Sequence, residues 1–303
     1  MSLIVAKFGG SSVANIRRVE RCVAIVKKLM QHHKVVVVVS AAFNTTNRLE
    51  DQLSHFEGDQ KTSFHDLVLS TGEQVVVGLF SLALQKHGMK PKSFLGYEVP
   101  IITSATPTHA EIADIPTGKL LASVREDFIP VVAGFQGVSK DGVITTLGRG
   151  GSDLTAVELA HYLQADECQI YSDVEGVYTS DPKIIPTAQR LDYLTYDEMF
   201  QLSKCGAKVL QENAARKALE KKVKVRLVSS FIDSPGTVLV EDVKEKSRFA
   251  SLYMNGKEGY IVGKNVSAMN INGQKLSDAV LQIDTNAGDI KTLHDDLLKL
   301  SFS

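Results

Sequence analysis

The sequence has few of the residues that build disulfide frameworks or zinc sites. Its 303 residues include three cysteines, Cys22, Cys168 and Cys205, which are far apart and follow neither a CxxC nor a Cys/His ligand spacing. We expect each cysteine to fill core space as a reduced thiol, and we expect no metal site built from the chain's own residues. The eight histidines are scattered, and we interpret them as surface or packing residues.

The sequence also lacks an excess of either charge and any long apolar run. Lys and Arg number 34 against 35 for Asp and Glu, so no basic field exists to hold nucleic acid or an anionic membrane. The longest apolar run, residues 35–39, is far too short to cross a bilayer, and the N-terminus has no signal-peptide pattern. We therefore expect a soluble cytoplasmic protein with no nucleic-acid partner and no membrane partner.

Three common catalytic or nucleotide-binding motifs are missing. The chain contains no G-x-x-x-x-G-K-[ST] sequence, no G-x-G-x-x-G after its first predicted strand and no G-x-S-x-G elbow. These absences argue against a P-loop fold, a Rossmann dehydrogenase and a serine hydrolase of the α/β type.

The patterns that are present predict an α/β fold. Strand-like runs alternate with helical periods, beginning with a strand over 3–8, a helix over 13–31 and a strand over 35–39, then a polar loop. The last strand shows no polar alternation, which is typical of a strand covered on both faces in a mainly parallel sheet. Further on we expect a helix over 66–86, a strand over 130–134, a hairpin turning at 140–142, a helix from Ser152, a strand over 169–171, helices over 196–221 and a strand over 224–229.

The pattern changes near the C-terminus. From Ser247 we expect short strands over 250–254, 260–262 and 279–283 and a final amphipathic helix from Ala287 to Leu300, with turns at Asn255-Gly256 and Asn272-Gly273. We therefore divide the chain into a larger unit, residues 1–240, and a separate small α/β unit, residues 247–303.

Two glycine-rich loops are candidates for phosphate binding. The first predicted strand ends in Lys7-Phe8-Gly9-Gly10-Ser11-Ser12, with a helix expected at once, so backbone N–H groups can approach an anion. A Gly-Gly pair at this point also suits a simple tight connection. Lys7 favours the functional interpretation, because a cation at the end of an apolar strand needs an opposite charge, which a phosphate would supply.

The second loop is Thr145-Thr146-Leu147-Gly148-Arg149-Gly150-Gly151-Ser152-Asp153. It could be a flexible connector with a solvated Arg149, but three glycines around one arginine favour a ligand site. Asp153 falls in the first turn of the helix expected behind the loop, where its charge suits the helix dipole.

Seven short blocks, in order, resemble the motifs of the aspartate kinases within the amino acid kinase family, and the resemblance runs from residue 3 to about 240. They are KFGGSS at 7–12, Ser40-Ala41 with Thr45-Thr46-Asn47, Ser70-Thr71-Gly72-Glu73, Gly134-Phe135-Gln136-Gly137, TTLGRGGSD at 145–153, SDVEGVYTSDPK at 172–183 and GAKVL at 206–210.

The resemblance implies a three-layer sandwich with ATP, Mg²⁺ and L-aspartate at the carboxyl ends of the strands. Lys7 would bridge the transferring phosphoryl group, with Gly9, Gly10 and Ser11 as donors to it, and Asp153 would hold Lys7 in position. The residues implied for aspartate are Ser40, Thr46, Phe135 and Ser152, with Glu73 on the ammonium and Arg149 on the α-carboxylate. Those implied for the nucleotide are Ser172, Asp173, Tyr178 against the adenine, Asp181, and the two phosphate-binding lysines Lys183 and Lys208.

Without the resemblance, Tyr178 would be interpreted as a surface aromatic and Glu73 as a solvated carboxylate. The chain departs from the family pattern at Ala42-Phe43, where glycine is usual, and at Gln211-Glu212, where His-Pro is usual.

The family normally continues into two ACT regulatory units, and this chain contains part of one. Residues 266–300 resemble the latter half of one ACT unit. This shortness predicts weakened feedback control by lysine or threonine, and an exposed half-sheet predicts a homodimer.

Two alternatives to aspartate phosphorylation stay open. A kinase of the same fold could act on another small amino acid or acid, because Arg149 and Glu73 discriminate poorly between related amino acids. The chain could instead be a catalytically silent nucleotide or amino acid sensor, against which the presence of Lys7 and Asp153 argues.

Overall fold

The computed structural model of the chain describes residues 1–56, 58, 60–243, 248–256, 258–268, 271, 273–284 and 290–301. The strands in this part of the chain are β1 (Ser2–Phe8), β2 (His33–Val39), β3 (Pro91–Phe94), β4 (Ile102–Thr103), β5 (Ile112–Asp114), β6 (Ile129–Ala133), β7 (Gln136–Ser139), β8 (Ile144–Thr146), β9 (Glu167–Ser172), β10 (Tyr193–Thr195), β11 (Val225–Ser229), β12 (Thr237–Val240), β13 (Arg248–Asn255), β14 (Glu258–Lys264), β15 (Gln274–Ser277) and β16 (Val280–Asp284). The helices are α1 (Ile16–Leu29), α2 (Thr45–Ser54), α3 (Ser63–Leu69), α4 (Thr71–Lys86), α5 (Gly118–Arg125), α6 (Gly151–Tyr162), α7 (Tyr196–Lys204), α8 (Glu212–Lys221), α9 (Ile290–Ser301) and a short 3-10 turn, Val266–Ala268.

An eight-stranded sheet forms the centre of the larger unit, in the order β10-β12-β11-β9-β1-β2-β6-β3. The six neighbouring strands from β11 to β3 run parallel, and β12 pairs antiparallel with β11. A second, smaller sheet has the order β5-β4-β7-β8 and contains the predicted hairpin, β7 with β8. The predicted α/β fold with a mainly parallel central sheet is confirmed.

Strand β2 shows how the central sheet is covered on both faces. Val35, Val37 and Val39 pack into a core with α1 and α4, whereas Val36 and Val38 pack into a second core with α6 and α8. Successive side chains of a strand point to opposite faces, so a strand between two helical layers needs apolar residues at every position. The unbroken valine run is therefore explained by two cores on opposite sides of one strand.

Helix α6 lies inside one of the helical layers. Every residue from Gly151 to Ala160 is buried, and the helix contacts β1, β9 and α8. A helix surrounded by protein carries apolar residues on all sides and not on one stripe. This packing brings the N-terminus of α6 to the end of β1, where the candidate phosphate loop begins.

The C-terminal unit is a four-stranded antiparallel sheet in the order β13-β14-β16-β15, consistent with an ACT-like unit. Helix α9 packs on one face, where its Leu297 joins a core with Phe249 and Leu281. The other face contacts α7 and contributes Ala250 and Val262 to the core of the larger unit. The expected exposed half-sheet is therefore wrong for the described residues, because both faces are covered and the exposed part is the edge strand β15.

Several predicted boundaries change in the structure. The helix expected over 66–86 is two helices, α3 and α4, which meet at Ser70. Residues 45–54, expected to be a polar loop, form α2, and none of its residues is buried. The predicted start of the second unit at Ser247, the turn residue Asn272 and the helix start at Ala287 lie outside the described residues.

The segment Ser63–Lys86, which comprises α3 and α4, is long and apolar enough to cross a membrane by length and composition alone. Half of its most apolar stretch is buried inside the protein, where α4 packs against α1 and β6. Core helices of soluble proteins pass the same test. The other half is exposed.

Candidate active site

A cleft of about 820 Å³ opens at the carboxyl ends of four neighbouring parallel strands, β9, β1, β2 and β6. Ligands of open α/β sheets bind at this edge, because the loops that leave the strands converge there. The predicted site residues that line the cleft are Lys7, Gly10, Ser11, Ser40, Thr46, Glu73, Phe135, Arg149, Ser152, Asp153 and Asp173.

Lys7 and Asp153 form an ion pair at the base of the cleft. Nζ of Lys7 lies 2.5 Å from Oδ1 of Asp153, and the two side chains are 9% and 10% exposed. Lys7 points to the α6 side of the sheet, whereas its neighbours Ala6 and Phe8 point into the opposite core. Because successive side chains of β1 point to opposite faces of the sheet, Lys7 points toward the first turn of the buried helix α6, where it pairs with Asp153.

The loop after β1 is held by turn hydrogen bonds and not by a helix. The Gly9 N–H donates to the carbonyl oxygen of Tyr171 at 3.0 Å, and α1 begins only at Ile16. The expectation that a helix starts directly after Ser12 is therefore wrong, and the Gly9 N–H is already used within the protein. A Cβ on Gly9 would lie 3.3 Å from Lys7 Nζ, so this glycine makes room for the ammonium group.

The second glycine loop ends as the N-terminus of α6. Gly150 is the N-cap with φ of 77°, a left-handed conformation that glycine adopts without a steric cost. The Asp153 N–H donates to Gly150 O at 3.0 Å and closes the first turn. Arg149 is exposed at the cleft, and it has no ion-pair partner within the described part of the chain.

Close contact between β6 and α6 explains the glycine at position 134. A Cβ on Gly134 would lie 2.7 Å from Cβ of Ser152, a distance that real Cβ atoms do not reach. Next to it, Phe135 has φ of 68° and donates its N–H to Thr155 Oγ1 at 3.1 Å. A bulky residue with positive φ is strained, and such residues concentrate at functional sites.

Glu73 is a buried carboxyl group with one uncommitted oxygen. The side chain lines the cleft, and the residue is 3% exposed. Its Oε1 accepts a hydrogen bond from the Ala41 N–H at 2.8 Å, while Oε2 has no partner among the described residues. Burial raises the pKa of Glu73 to about 8, and the Ala41 N–H and the charge of Lys7 oppose that rise. The group is therefore poised to exchange a proton for a cationic ligand near neutral pH.

Sequence reasoning missed Asp66, which supports the second glycine loop from below. Its Oδ1 accepts hydrogen bonds from the Thr108 N–H at 2.9 Å, the Thr146 N–H at 3.2 Å and the Thr146 hydroxyl at 2.5 Å. Burial raises the pKa of Asp66. A single carboxylate in an apolar helical run was the available signal, because such a group is buried only when partners satisfy it.

Gln211 and two histidines were also missed. The Gln211 side chain lines the cleft, and a Cβ on Gly150 would lie 2.3 Å from Gln211 Cγ, so the glutamine packs directly on the loop. His65 and His109 line the cleft as well, whereas the sequence pattern indicates only surface or packing positions for them. No sequence spacing connects these residues, which only the fold brings together.

The structure does not bring all the predicted nucleotide residues into this cleft. Asp181 Oδ1 accepts the Lys183 N–H at 2.9 Å and stabilises a turn, and Tyr178 pairs with Arg190. Both groups of contacts lie on the loop between β9 and β10, which leaves the cleft after Asp173. The predicted site residues that do not line the cleft are Gly9, Ser172, Tyr178, Asp181, Lys183 and Lys208.

The chain is similar to known proteins over most of its length. Residues 2–229 match the model of the amino acid kinase family. An aspartate kinase of Pseudomonas fluorescens is 46% identical over 248 residues, which are 81% of this chain and 60% of that protein. The chain thus spans about three-fifths of the length of that relative.

Solved structures show the same fold. The crystal structure of aspartate kinase from Synechocystis has a TM-score of 0.70 and 36% identity, and the match covers 86% of this chain and 45% of that one. The structure of Escherichia coli aspartokinase III in complex with aspartate and ADP has a TM-score of 0.74 at 23% identity, covering 94% and 79%. With its central sheet, its paired glycine loops and the match over residues 2–229, this chain belongs to the amino acid kinase family.

Proposed function

We propose that this chain is an aspartate kinase, which transfers the γ-phosphoryl group of ATP to the β-carboxylate of L-aspartate. The products are ADP and 4-phospho-L-aspartate, and the reaction is the first step toward lysine, threonine and methionine. The relatives that match most of the chain carry this activity in their names.

The observation that carries the proposal is the layout of charge in the cleft. An α-amino acid presents an ammonium group and a carboxylate, which need an anion and a cation at different places. Glu73, whose Oε2 has no partner among the described residues, supplies the anion when it ionises. The guanidinium of Arg149, which has no ion-pair partner in the same part of the chain, supplies the cation in a geometry that matches a carboxylate. Ser40, Thr46, Phe135 and Ser152 complete the proposed aspartate site.

Lys7 would stabilise the transferring phosphoryl group. A β-carboxylate oxygen attacks the γ-phosphorus, the bond from that phosphorus to the bridging oxygen of ADP breaks, and ADP leaves. The attacking carboxylate is already ionised at neutral pH, so no base is required, and Asp153 serves to orient Lys7. Phosphoryl transfer needs alignment and positive charge around the moving oxygens, which Lys7 and the N–H groups of Gly10 and Ser11 can supply.

Mg²⁺ would enter the cleft with the nucleotide. In the described part of the chain no group of three or more His, Cys, Asp or Glu side chains is arranged to hold a metal ion. Mg²⁺ in nucleotide sites usually relies on phosphate oxygens and one or two carboxylates, and Asp153 and Asp173 line this cleft. The bound ion would neutralise charge on the phosphates.

The nucleotide itself would lie toward β9 and the loop behind it. We assign Ser172, Asp173, Tyr178, Asp181, Lys183 and Lys208 to this part of the site, on the strength of the motif resemblance. The exposed positions of Lys183 and Lys208 suit side chains that close on phosphates when the nucleotide binds.

A coupled assay of ADP release tests the function most directly. We expect turnover with aspartate and little with glutamate, acetylglutamate or uridylate, and Lys7→Ala should abolish it while the protein stays folded. Turnover with a different acid alone would support the same-fold alternative, and ATP binding without turnover on any acid would support the silent sensor. Full activity in Lys7→Ala would overturn the phosphate assignment.

We further propose a cytoplasmic homodimer with a catalytic unit over 1–240 and a partial ACT-like unit over 247–303. The surface best suited to a second copy is the exposed face of α3 and α4, formed by Phe64, Leu67, Val75, Leu79 and Leu82. Over residues 63–85, all of them described, both charged residues, Asp66 and Glu73, are buried. A continuous helical face without charge is typical of a helix that packs against a partner.

A further inference from the structure

The loop between β9 and β10 is attached to the C-terminal unit along the outer edge of β13. The Leu252 N–H donates to Thr179 O at 2.8 Å, the Ser180 hydroxyl donates to Leu252 O at 2.9 Å, and the Ser251 hydroxyl donates to Tyr178 O at 2.9 Å. Backbone and hydroxyl groups of residues 178–180 thus satisfy the strand edge as an added strand would.

The same loop supplies part of the apolar core of the C-terminal unit. Ile185 is 1% exposed and belongs to the cluster that includes Phe249, Leu252 and Leu297. The loop is therefore held by burial of a large side chain as well as by hydrogen bonds. Its path is set as much by residues after 248 as by the central sheet from which it leaves.

Thr179 is the point at which these attachments meet. Its N–H donates to Gln189 O at 2.8 Å, and its hydroxyl accepts the Gln189 N–H at 2.9 Å, so the two ends of the segment 179–189 are tied together. The remaining partner of the hydroxyl is Nε2 of His294, on α9, at 2.9 Å. Asp181 and Lys183, assigned to the nucleotide, lie inside the segment that this threonine closes.

His294 is fully buried at this contact. It is 0% exposed, its ring meets Phe249 edge-on at 5.8 Å, and its Nδ1 lies 3.5 Å from Asp295 Oδ1. A second contact joins α9 to the loop at the same place, from the Thr187 hydroxyl to Asp295 Oδ1 at 3.5 Å. A buried imidazole that forms a hydrogen bond with a loop threonine fixes the distance between the helix and the loop, which an aliphatic side chain would not do.

We propose that His294 is a positioning residue for the nucleotide loop, acting through Thr179. The role rests on the proposed kinase function, since it assumes that Tyr178, Asp181 and Lys183 contact ATP. His294 itself touches neither substrate. By this contact the C-terminal unit controls how well the loop is organised for nucleotide, while the aspartate side of the cleft, built from β1, β2, β6 and α6, stays independent of it.

Steady-state kinetics with His294→Leu and Thr179→Val test the proposal. We expect KM for ATP to rise about fivefold to tenfold in each, the factor expected for the loss of one buried hydrogen bond, with KM for aspartate unchanged. His294→Gln, which retains a polar group toward Thr179, should recover most of the affinity. Val266→Ala is the matched control, since Val266 is buried in the same core and its truncation should lower Tm without a change in KM for ATP.

Hydrogen exchange supplies a readout that does not require activity. The amides of Leu252 and Gln189, which donate to Thr179, should exchange about tenfold faster in His294→Leu and in Thr179→Val than in the parent. Unchanged exchange at both amides together with unchanged ATP affinity would overturn the positioning role. If the parent phosphorylates no acid, the kinase proposal fails, whereas exchange and direct ATP titration still decide the role of His294.

Discussion

Nζ of Lys7 lies 2.5 Å from Oδ1 of Asp153 at the base of the cleft, and the two side chains are only 9% and 10% exposed to solvent. Removing one partner of such a pair leaves the other as a buried, uncompensated charge. We therefore expect Lys7→Met and Asp153→Asn each to lower the free energy of unfolding by about 3–5 kcal/mol. Denaturant titration measures both.

The double variant Lys7→Met/Asp153→Asn removes both charges and should recover most of that stability while remaining inactive. Losses in the two single variants that simply add in the double variant would mean that the pair is not coupled.

Glu73 predicts a specific pH dependence of stability. Its pKa is about 8 in the folded protein against an ordinary value of 4.5, so between these two pH values the unfolded chain ionises while the folded protein keeps its proton. Stability should therefore fall as pH rises from 4.5 to 8, by roughly 5 kcal/mol in total. Glu73→Gln removes this dependence. As pH rises from 4.5 to 8, the Tm of the parent should therefore fall relative to the Tm of the variant. Parallel pH profiles of Tm would contradict the burial argument.

Binding of aspartate should release a proton from Glu73 if its carboxylate meets the substrate ammonium. At pH 7 the free carboxyl group is mostly protonated, and an ammonium group beside it favours ionisation. Calorimetric titration in buffers of different ionisation enthalpy would measure a release approaching one proton at pH 7. A release of zero would place the ammonium elsewhere, and Glu73→Gln serves as the control that should release none.

Asp66 should be a structural residue whose loss reaches the cleft. Asp66→Ala leaves the Thr108 and Thr146 donors buried without an acceptor, which costs about 2–4 kcal/mol in the free energy of unfolding. Asp66→Asn keeps the accepting oxygen and should cost far less. Equal destabilisation by the two substitutions would show that charge, and not hydrogen bonding, is what the site requires.

Gly134→Ala tests the close contact between β6 and α6. The new Cβ would collide with Ser152, so we expect both lower stability and a higher KM for aspartate. Gly118→Ala is the matched control, because nothing lies within 4 Å of a Cβ at this exposed position at the start of α5. That substitution should leave both stability and KM for aspartate close to those of the parent. An undisturbed KM in Gly134→Ala would mean that Ser152 can move without consequence.

The dimer proposal predicts that Leu82→Lys gives a protein of monomeric mass in light scattering. A charge placed on the uncharged face of α3 and α4 would be buried without a partner in the dimer. Leu276→Lys, on the exposed edge strand β15, should leave the mass unchanged. If Leu276→Lys gave a monomer and Leu82→Lys did not, the interface would lie on the C-terminal sheet. A monomeric mass for the parent protein would contradict the dimer proposal itself.

The sequence predicted the central architecture because its strongest signals are local. Five valines in a row required two cores, and both are present. Helix α2 was missed because none of its residues is buried, so no apolar period marks it. The break at Ser70 was missed for the opposite reason, since the apolar period runs through both α3 and α4.

The cleft was predicted mostly through resemblance to known motifs, and long-range contacts limited the rest. Lys7 and Asp153 could be joined only by a family pattern, because their pairing depends on α6 packing against β1. Asp66 and Gln211 act through contacts with residues of the second glycine loop that are distant in sequence. The loop after Asp173 was expected to line the same cleft, but its course follows the C-terminal unit, whose contacts no local pattern reveals.

The burial of Ile185 among residues of the C-terminal sheet has a consequence for engineering. A chimera joined between Val240 and Arg248 would separate this isoleucine from the core that it fills. The transplanted C-terminal unit would have a cavity where Ile185 was, and the rest of the parent chain would be left with an exposed apolar side chain on its loop. The two units are therefore not interchangeable modules, and a functional exchange would have to carry residues 178–189 along with the tail.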